Sequence, residues 1–245
     1  RKPYLAMYQA LFVLGSSFGY FIGGKLPEIS FIVELLHTDD LRNVFAIQAL
    51  VNVVHATIIF FIIGKDKMKK PITNTSKNPF RGFADVKSLD RNLVIFLISL
   101  ALISLGGINI SKYIEVYMNH QGLSTGEIGK FVGLTGIVSI IATIIIVPFI
   151  AKLKRDFTLM VIIQFLSAVI IFFVFRSNEL VVTLYTVFML YVVFKAVYTP
   201  LEQNYISSHA EEGEYGKIMG VRQSFFAIGL VIGPLLGGFL YEIKP

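Results

Sequence analysis

Long apolar stretches constrain the fold of this chain of 245 residues more than any other feature. A helix that crosses a bilayer needs roughly 20 mostly apolar residues, and seven stretches meet that requirement. None of them shows the strict alternation of a membrane β-strand, so we predict an all-α integral membrane bundle. The predicted spans are Tyr4–Gly24, Asn43–Ile63, Leu93–Tyr117, Ile128–Ile150, Phe157–Phe175, Leu180–Thr199 and Lys217–Tyr241.

Charges in the connecting segments predict how the spans are oriented. The segment Gly64–Asn92 is rich in Lys and Ala151–Asp156 is also basic, whereas Leu26–Arg42 carries four acidic residues and one Arg. Short basic loops remain in the cytoplasm, so we expect the two basic segments on the cytoplasmic side and the acidic one outside. The net charge of +6 is attributed to these cytoplasmic Lys and Arg residues rather than to nucleic-acid binding.

A glycine pattern occurs near both ends of the chain. The stretches "GSSFGYFIGGKLPEI" and "GLVIGPLLGGFLYEI" share their glycines, but Tyr20 stands where the second copy has proline. Glycines four residues apart share one helix face and let a second helix approach closely. Two such faces in spans of the same direction predict a duplicated bundle. The residues assigned to this helix-packing motif are Gly15, Gly19, Gly23, Gly24, Gly229, Gly233, Pro234, Gly237 and Gly238.

These motifs make the chain similar to the major facilitator superfamily, and in particular to its drug:proton antiporter branch. The two glycine stretches resemble the Gly-rich motif of the fifth helix of that family and its equivalent in the eleventh. The stretch "GLSTGEIGKFVGLTGIVSI" (Gly122–Ile140) resembles the hinge between the seventh and eighth helices, and Tyr198–Phe225 resembles the loop between the tenth and eleventh. The resemblance implies a fragment of helices five to eleven, with four helices missing before it and one after it.

The same resemblance implies a division of the chain and a function. Residues 1–63 would be the last two helices of the N-terminal bundle, residues 64–92 a cytoplasmic central linker, and residues 93–245 a C-terminal bundle without its final helix. The expected function is secondary active transport by alternating access, with proton-coupled efflux of drug-like or amphipathic molecules. Proton-coupled uptake of a sugar or other small solute is the alternative, because Tyr20 departs from the export motif. A seven-helix receptor or an intramembrane enzyme is a third possibility.

Polar side chains within the spans are the candidates for substrate and proton binding, because such groups are costly in lipid. The resemblance assigns the third and sixth spans to the substrate cavity, and Asn109 and Tyr113 lie within about one turn in the third. Lys195 and Glu202 share one face of the sixth span, with Tyr198 between them. We expect Glu202 and Lys195 to serve proton coupling. The alternatives for Glu202 are an anchor near the cytoplasmic interface or an ion pair with Lys195.

The remaining candidates are Gln203 and Gln223, which we expect to contact substrate together with Asn109, Tyr113 and Tyr198. Arg222 is expected to meet lipid phosphate or the acidic residues just before its span (Glu211, Glu212 and Glu214). The sequence contains no metal-ligand cluster, nucleophilic triad or P-loop, so we expect neither enzyme activity nor a metal or cofactor. The expected protein is a monomeric, multi-pass protein of a bacterial plasma membrane, whose partners are lipid, protons and a small-molecule substrate.

Overall fold

The structure, a computed structural model, consists mainly of long apolar helices. Five helical spans of the described part of the chain are long and apolar enough to cross a membrane, and Phe45–Phe61 is a shorter apolar helix. These helices confirm the predicted all-α membrane bundle. The described residues are 7, 11–16, 18–19, 23, 34, 42–62, 86, 89–150, 152–153, 155–210 and 214–243.

The helix boundaries follow most of the predicted spans within a few residues. The helices are α1 (Arg42–Ile62), α2 (Arg91–His120), α3 (Thr125–Ile141), α4 (Val147–Ile150), α5 (Asp156–Val174), α6 (Leu180–Tyr185), α7 (Val187–Ser208) and α8 (Tyr215–Ile243). A π-helical turn, Ala142–Ile146, joins α3 to α4. The first predicted span, Tyr4–Gly24, lies partly outside the described residues, of which 11–16 are helical.

The turn between α2 and α3 is specified by local sequence signals. Gly122 follows α2 with a φ of 86°, a left-handed conformation that glycine adopts at little cost. The Ser124 hydroxyl then accepts a hydrogen bond from the Glu127 N–H at 3.3 Å, and the Glu127 carboxylate accepts one from the Ser124 N–H at 2.8 Å. This reciprocal capping box starts α3. Most of the predicted hinge segment is therefore regular helix.

The π-helical turn widens the second of the five long spans. The Val147 N–H donates to the carbonyl of Ala142, five residues earlier. Pro148 follows and has no N–H to donate to an earlier carbonyl. The Thr143 hydroxyl donates to the Ser139 carbonyl at 2.7 Å, which stabilises the turn where the normal ladder is disturbed. Turns of this kind are frequent at functional sites.

The prediction for Leu180–Thr199 is wrong at its C-terminal end. The helix α7 continues through Pro200 as far as Ser208, and a break at Thr186 (φ −119°, ψ −81°) separates it from α6. Pro200 and Leu201 are buried, so packing holds the helix together where proline removes one hydrogen bond. The loop predicted across Tyr198–Phe225 is therefore limited to the few residues between α7 and α8.

Two apolar clusters fill opposite ends of the bundle. The first joins the beginnings of α2, α5 and α8 to the end of α7, at the end that is predicted to be cytoplasmic. The second joins the end of α2 to the beginnings of α3 and α7. The first cluster consists of Leu93, Phe96, Leu97, Leu100, Val147, Met160, Ile163, Val197, Tyr198, Leu201, Ile206, Ile218 and Val221. The second consists of Ile114, Met118, Phe131, Val174, Leu184, Phe188 and Val192. The space between them holds the cavities described below.

Candidate functional site

A cavity of about 630 Å³ is lined by residues of α2, α5, α7 and α8, together with Phe12. This volume falls within the range of about 300–1,000 Å³ that is typical of small-molecule sites. Aliphatic and aromatic side chains such as Ile103, Ile171 and Phe226 form much of the wall. The polar side chains that converge on it from α5, α7 and α8 include Gln164, Tyr198, Glu202, Gln203, Arg222 and Gln223.

A buried ion pair forms the wall of this cavity near the predicted cytoplasmic end. Glu202 on α7 is 1% exposed and Arg222 on α8 is 8% exposed. The Nε of Arg222 donates to Oε1 of Glu202 at 2.8 Å, and its Nη2 donates to Oε2 at 2.6 Å. Such two-point pairing is the strongest geometry for a guanidinium and a carboxylate. Loss of either partner would leave the other charge buried and unpaired, which is strongly destabilising.

The ion pair corrects two expectations from the sequence. Glu202 pairs with Arg222 and not with Lys195. Glu202 is buried inside the bundle and does not lie at the end of its helix, because α7 continues for six residues beyond it. Arg222 pairs with this carboxylate and not with Glu214, which pairs with Lys217 at 3.3 Å. The other two predicted partners of Arg222, at positions 211 and 212, lie outside the described residues.

Lys195 lies two helical turns from Glu202 along α7 and contacts a different group. Its Nζ donates to the hydroxyl of Ser111 on α2 at 3.4 Å. It lines the 630 Å³ cavity and also a second cavity of about 340 Å³ between α2, α3 and α7. Among the described residues, no carboxylate lies within ion-pair distance of its ammonium group.

Asn109 and Tyr113 face α8 and do not line either of these cavities. The Tyr113 hydroxyl donates to the carbonyl of Pro234 at 2.9 Å, and its ring stacks on Tyr241 with ring centroids 5.5 Å apart. The Asn109 side chain packs against Gly237. Its Oδ1 is buried and has no hydrogen-bond partner in the described part of the chain. These contacts join two helices, and substrate binding by Asn109 and Tyr113 stays a prediction.

The glycine face of α8 packs closely against α2. A Cβ added to Gly229 would overlap the Ser104 hydroxyl and lie 2.5 Å from the backbone nitrogen of Leu105. A Cβ at Gly233 would overlap the side chain of Ile108. The Ser104 hydroxyl shares its proton between the Ala101 carbonyl of its own helix, at 2.9 Å, and the Phe226 carbonyl across the contact, at 3.1 Å. Because glycine carries only a hydrogen atom in place of a side chain, the backbones of α2 and α8 can approach closely at these positions. Further along the face, Gly238 would place a Cβ 3.0 Å from the Tyr113 hydroxyl.

The first copy of the glycine pattern has no corresponding contact in the described part of the chain. A Cβ at Gly15, Gly19 or Gly23 would meet no atom there within 4 Å. Gly24 lies outside the described residues. Close packing of another helix on this copy stays a prediction.

Sequence reasoning missed Gln164 and Ser111 as cavity residues. Gln164 is the only amide or charged side chain in the predicted span Phe157–Phe175. The cost of a polar group in lipid, used above for other positions, would have selected it. No such signal marked Ser111, because a serine hydroxyl can donate to a backbone carbonyl of its own helix. The Ser111 hydroxyl donates to the Gly107 carbonyl at 2.8 Å.

Comparison with known proteins identifies the family. The family model described as Major Facilitator Superfamily matches residues 1–190 and 157–244, which together span nearly the whole chain. Comparisons with curated proteins and with solved structures give no match. The match agrees with the five long apolar helices and confirms the superfamily that the motifs predicted. The chain therefore belongs to the Major Facilitator Superfamily of membrane transporters.

Proposed function

We propose that this transporter couples proton movement to the efflux of amphipathic small molecules, as a monomer in the plasma membrane of a bacterium. The observation that carries the proposal is the buried ion pair of Glu202 and Arg222 in the wall of the 630 Å³ cavity. Carboxylates inside membrane-spanning segments are typical of proton relays in pumps and transporters. Glu202 combines such a position with direct access to a cavity large enough for a solute.

Protonation of Glu202 would change which arrangement of α7 and α8 is favoured. The ionised carboxylate holds Arg222 through two hydrogen bonds across the contact between the two helices. A neutral carboxyl would leave the guanidinium buried without its counter-charge, which favours an arrangement in which Arg222 reaches water or another acceptor. Proton binding thereby shifts the population between two conformations, as alternating access requires.

The cavity wall supports an amphipathic substrate. Its apolar side chains come chiefly from α2, α5 and α8, and the amides of Gln203 and Gln223 lie on the same wall as Tyr198. These three residues are the predicted substrate contacts that line the cavity. A solute with an apolar body and a few polar groups would match both parts of this wall.

The test is transport by the full-length protein in proteoliposomes, with a pH dye inside and a panel of neutral, cationic and anionic amphipathic probes. We expect probe movement to drive protons in the opposite direction. Glu202→Gln keeps a hydrogen-bond acceptor for Arg222 but cannot ionise, so it should abolish proton movement while probe exchange continues. Glu214→Gln is the matched control, because Glu214 is exposed and lies before α8. Full proton coupling in Glu202→Gln would refute the proposal.

Proton-coupled uptake of a polar solute is the second candidate function. It is supported by the two charged residues, Lys195 and Glu202, that face one cavity from the same helix, because a polar solute can bind both. The same proteoliposomes distinguish the two functions, since uptake moves substrate and protons in one direction and efflux moves them in opposite directions.

A further inference from the structure

Lys195 lies where the two cavities meet. Ser111, Tyr191 and Thr199 line both cavities together with Lys195. From this junction the larger cavity extends towards α5 and α8, and the smaller one extends towards α3. A solute whose polar end binds at the junction therefore has space for an apolar body on either side.

The ammonium group of Lys195 has donors to spare. An ammonium carries three donors, and Ser111 accepts one of them at 3.4 Å. Ser111 cannot compensate the charge, because it is neutral and its own hydroxyl donates to the Gly107 carbonyl. A Lys side chain within a membrane-spanning helix needs a counter-charge or water. Lys195 therefore offers a positive charge and free donors to whatever enters the cavity.

Neither of the described carboxylates that line the two cavities forms an ion pair with Lys195. Both carboxylate oxygens of Glu202 are held by Arg222, so the larger cavity has two positive side chains and one negative one. Glu115 lines the smaller cavity and lies on α2 three residues after Lys112. An anion at the junction would be attracted by the larger cavity, whereas the charge of Glu115 disfavours one in the smaller cavity.

We infer that the solute is an amphipathic organic anion whose carboxylate binds the ammonium group of Lys195 at the junction and whose apolar body occupies the larger cavity. The inference rests on the proposed transport of amphipathic molecules and adds the charge of the headgroup. Ser111 is a positioning residue, because it binds the ammonium and leaves two donors for the carboxylate. The apolar body would contact Ile103, Ile171 and Phe226.

The test compares three probes that share one ring system: naphthalene carboxylate, naphthalene carboxamide and naphthylmethylammonium. Equilibrium binding to the full-length protein in nanodiscs should be tightest for the carboxylate. Lys195→Met should weaken carboxylate binding between about tenfold and a hundredfold, as expected for loss of a charge-assisted hydrogen bond, and should leave the carboxamide unaffected. Lys195→Arg should retain the preference for the carboxylate, because it keeps the positive charge.

Two further variants separate the headgroup site from other charges nearby. Lys112→Met is the matched control, because Lys112 is exposed and lines neither cavity; it should weaken carboxylate binding far less than Lys195→Met does. Glu115→Gln removes a negative charge near the junction, so carboxylate binding should stay the same or tighten. If Glu115→Gln weakens carboxylate binding as much as Lys195→Met does, binding depends on the general integrity of the site and not on the charge of Lys195, and the inference is wrong.

Three other results would also overturn the inference. These are equal binding of carboxylate and carboxamide to the unmodified protein, no carboxylate binding at all, and equal weakening of all three probes by Lys195→Met. Proton movement with the same probes in proteoliposomes tests the proposed function separately. Selective carboxylate binding without proton movement supports the anion site and contradicts proton coupling. Proton movement driven by the carboxamide or ammonium probe, without carboxylate binding, supports proton coupling and contradicts the anion site.

Discussion

Replacing Gly229 by Ala tests whether the glycine face of α8 is held by direct contact with α2. The new methyl group would overlap the Ser104 hydroxyl and lie 2.5 Å from the Leu105 nitrogen and 2.8 Å from the Ala101 carbonyl oxygen. Two of these three neighbours are backbone atoms and cannot rotate away. The helices must therefore separate, and the hydrogen bond from Ser104 to the Phe226 carbonyl must lengthen or break.

The magnitude follows from three contributions. Overpacking of a filled contact costs about 1–3 kcal/mol, and loss of one hydrogen bond costs about 1 kcal/mol. Alanine offsets about 0.5–1 kcal/mol of this, because glycine is the poorer residue in a helix. Gly220→Ala is the matched control on the same helix, since a Cβ there meets no described atom within 4 Å and only the favourable contribution applies. We expect the two variants to differ by about 2–4 kcal/mol in unfolding free energy.

The measurement is reversible unfolding of the full-length protein in mixed micelles, followed by the far-ultraviolet circular dichroism of its helices as the denaturing detergent increases. Gly229→Ala should unfold at a lower fraction of denaturing detergent than the unmodified protein, and Gly220→Ala at the same fraction or a higher one. Equal stability of the two variants would refute the argument that glycine is required at Gly229 for the contact with α2.

Three further predictions follow from the described contacts. Arg222→Met leaves Glu202 buried without its counter-charge and should lower the unfolding free energy by about 3–5 kcal/mol. The double variant with Glu202→Leu should lose less stability, because no buried charge is left unpaired. A single variant as stable as the double one would contradict a buried pair. Gly233→Leu should lower transport in proteoliposomes because the leucine side chain would collide with α2; unchanged transport would be evidence against close packing as a requirement for function. Ser124→Ala removes the capping box with Glu127 and should cost about 0.5–2 kcal/mol in thermal or detergent unfolding, an effect that Thr at the same position should largely prevent.

Residues that share a helix face could be recognised from the sequence, but the cavity or neighbouring helix that this face contacts could not. Lys195, Tyr198 and Glu202 were grouped by their spacing, and all three line the 630 Å³ cavity. Asn109 and Tyr113 were grouped in the same way, yet they contact α8. Spacing determines the relative angle of two side chains on one helix. The rotation of the helix about its own axis depends on which neighbours it packs against.

The end of α7 shows why hydropathy alone places some boundaries wrongly. The predicted span stops at Thr199, and Glu202, Gln203 and Asn204 follow it closely. In the folded bundle Glu202 pairs with Arg222, and Asn204 donates to the Asp156 carboxylate at 3.1 Å. Polar residues inside a helical bundle usually pair with one another or with other polar groups. Whether a partner exists is a property of the neighbouring helices and not of the segment itself.

The sequence by itself determined the class of this protein: runs of about 20 apolar residues can satisfy their backbone groups in lipid only as helices, and the paired glycine motifs led to the superfamily that the family comparison confirmed. The turn before α3 was also encoded locally, by Gly122 and the capping box of Ser124. Only the tertiary structure decided that Glu202 pairs with Arg222 and that Lys195 stands at the junction of two cavities. Those contacts join different helices, so they depend on helix rotation and packing distance, which no local pattern of residues specifies.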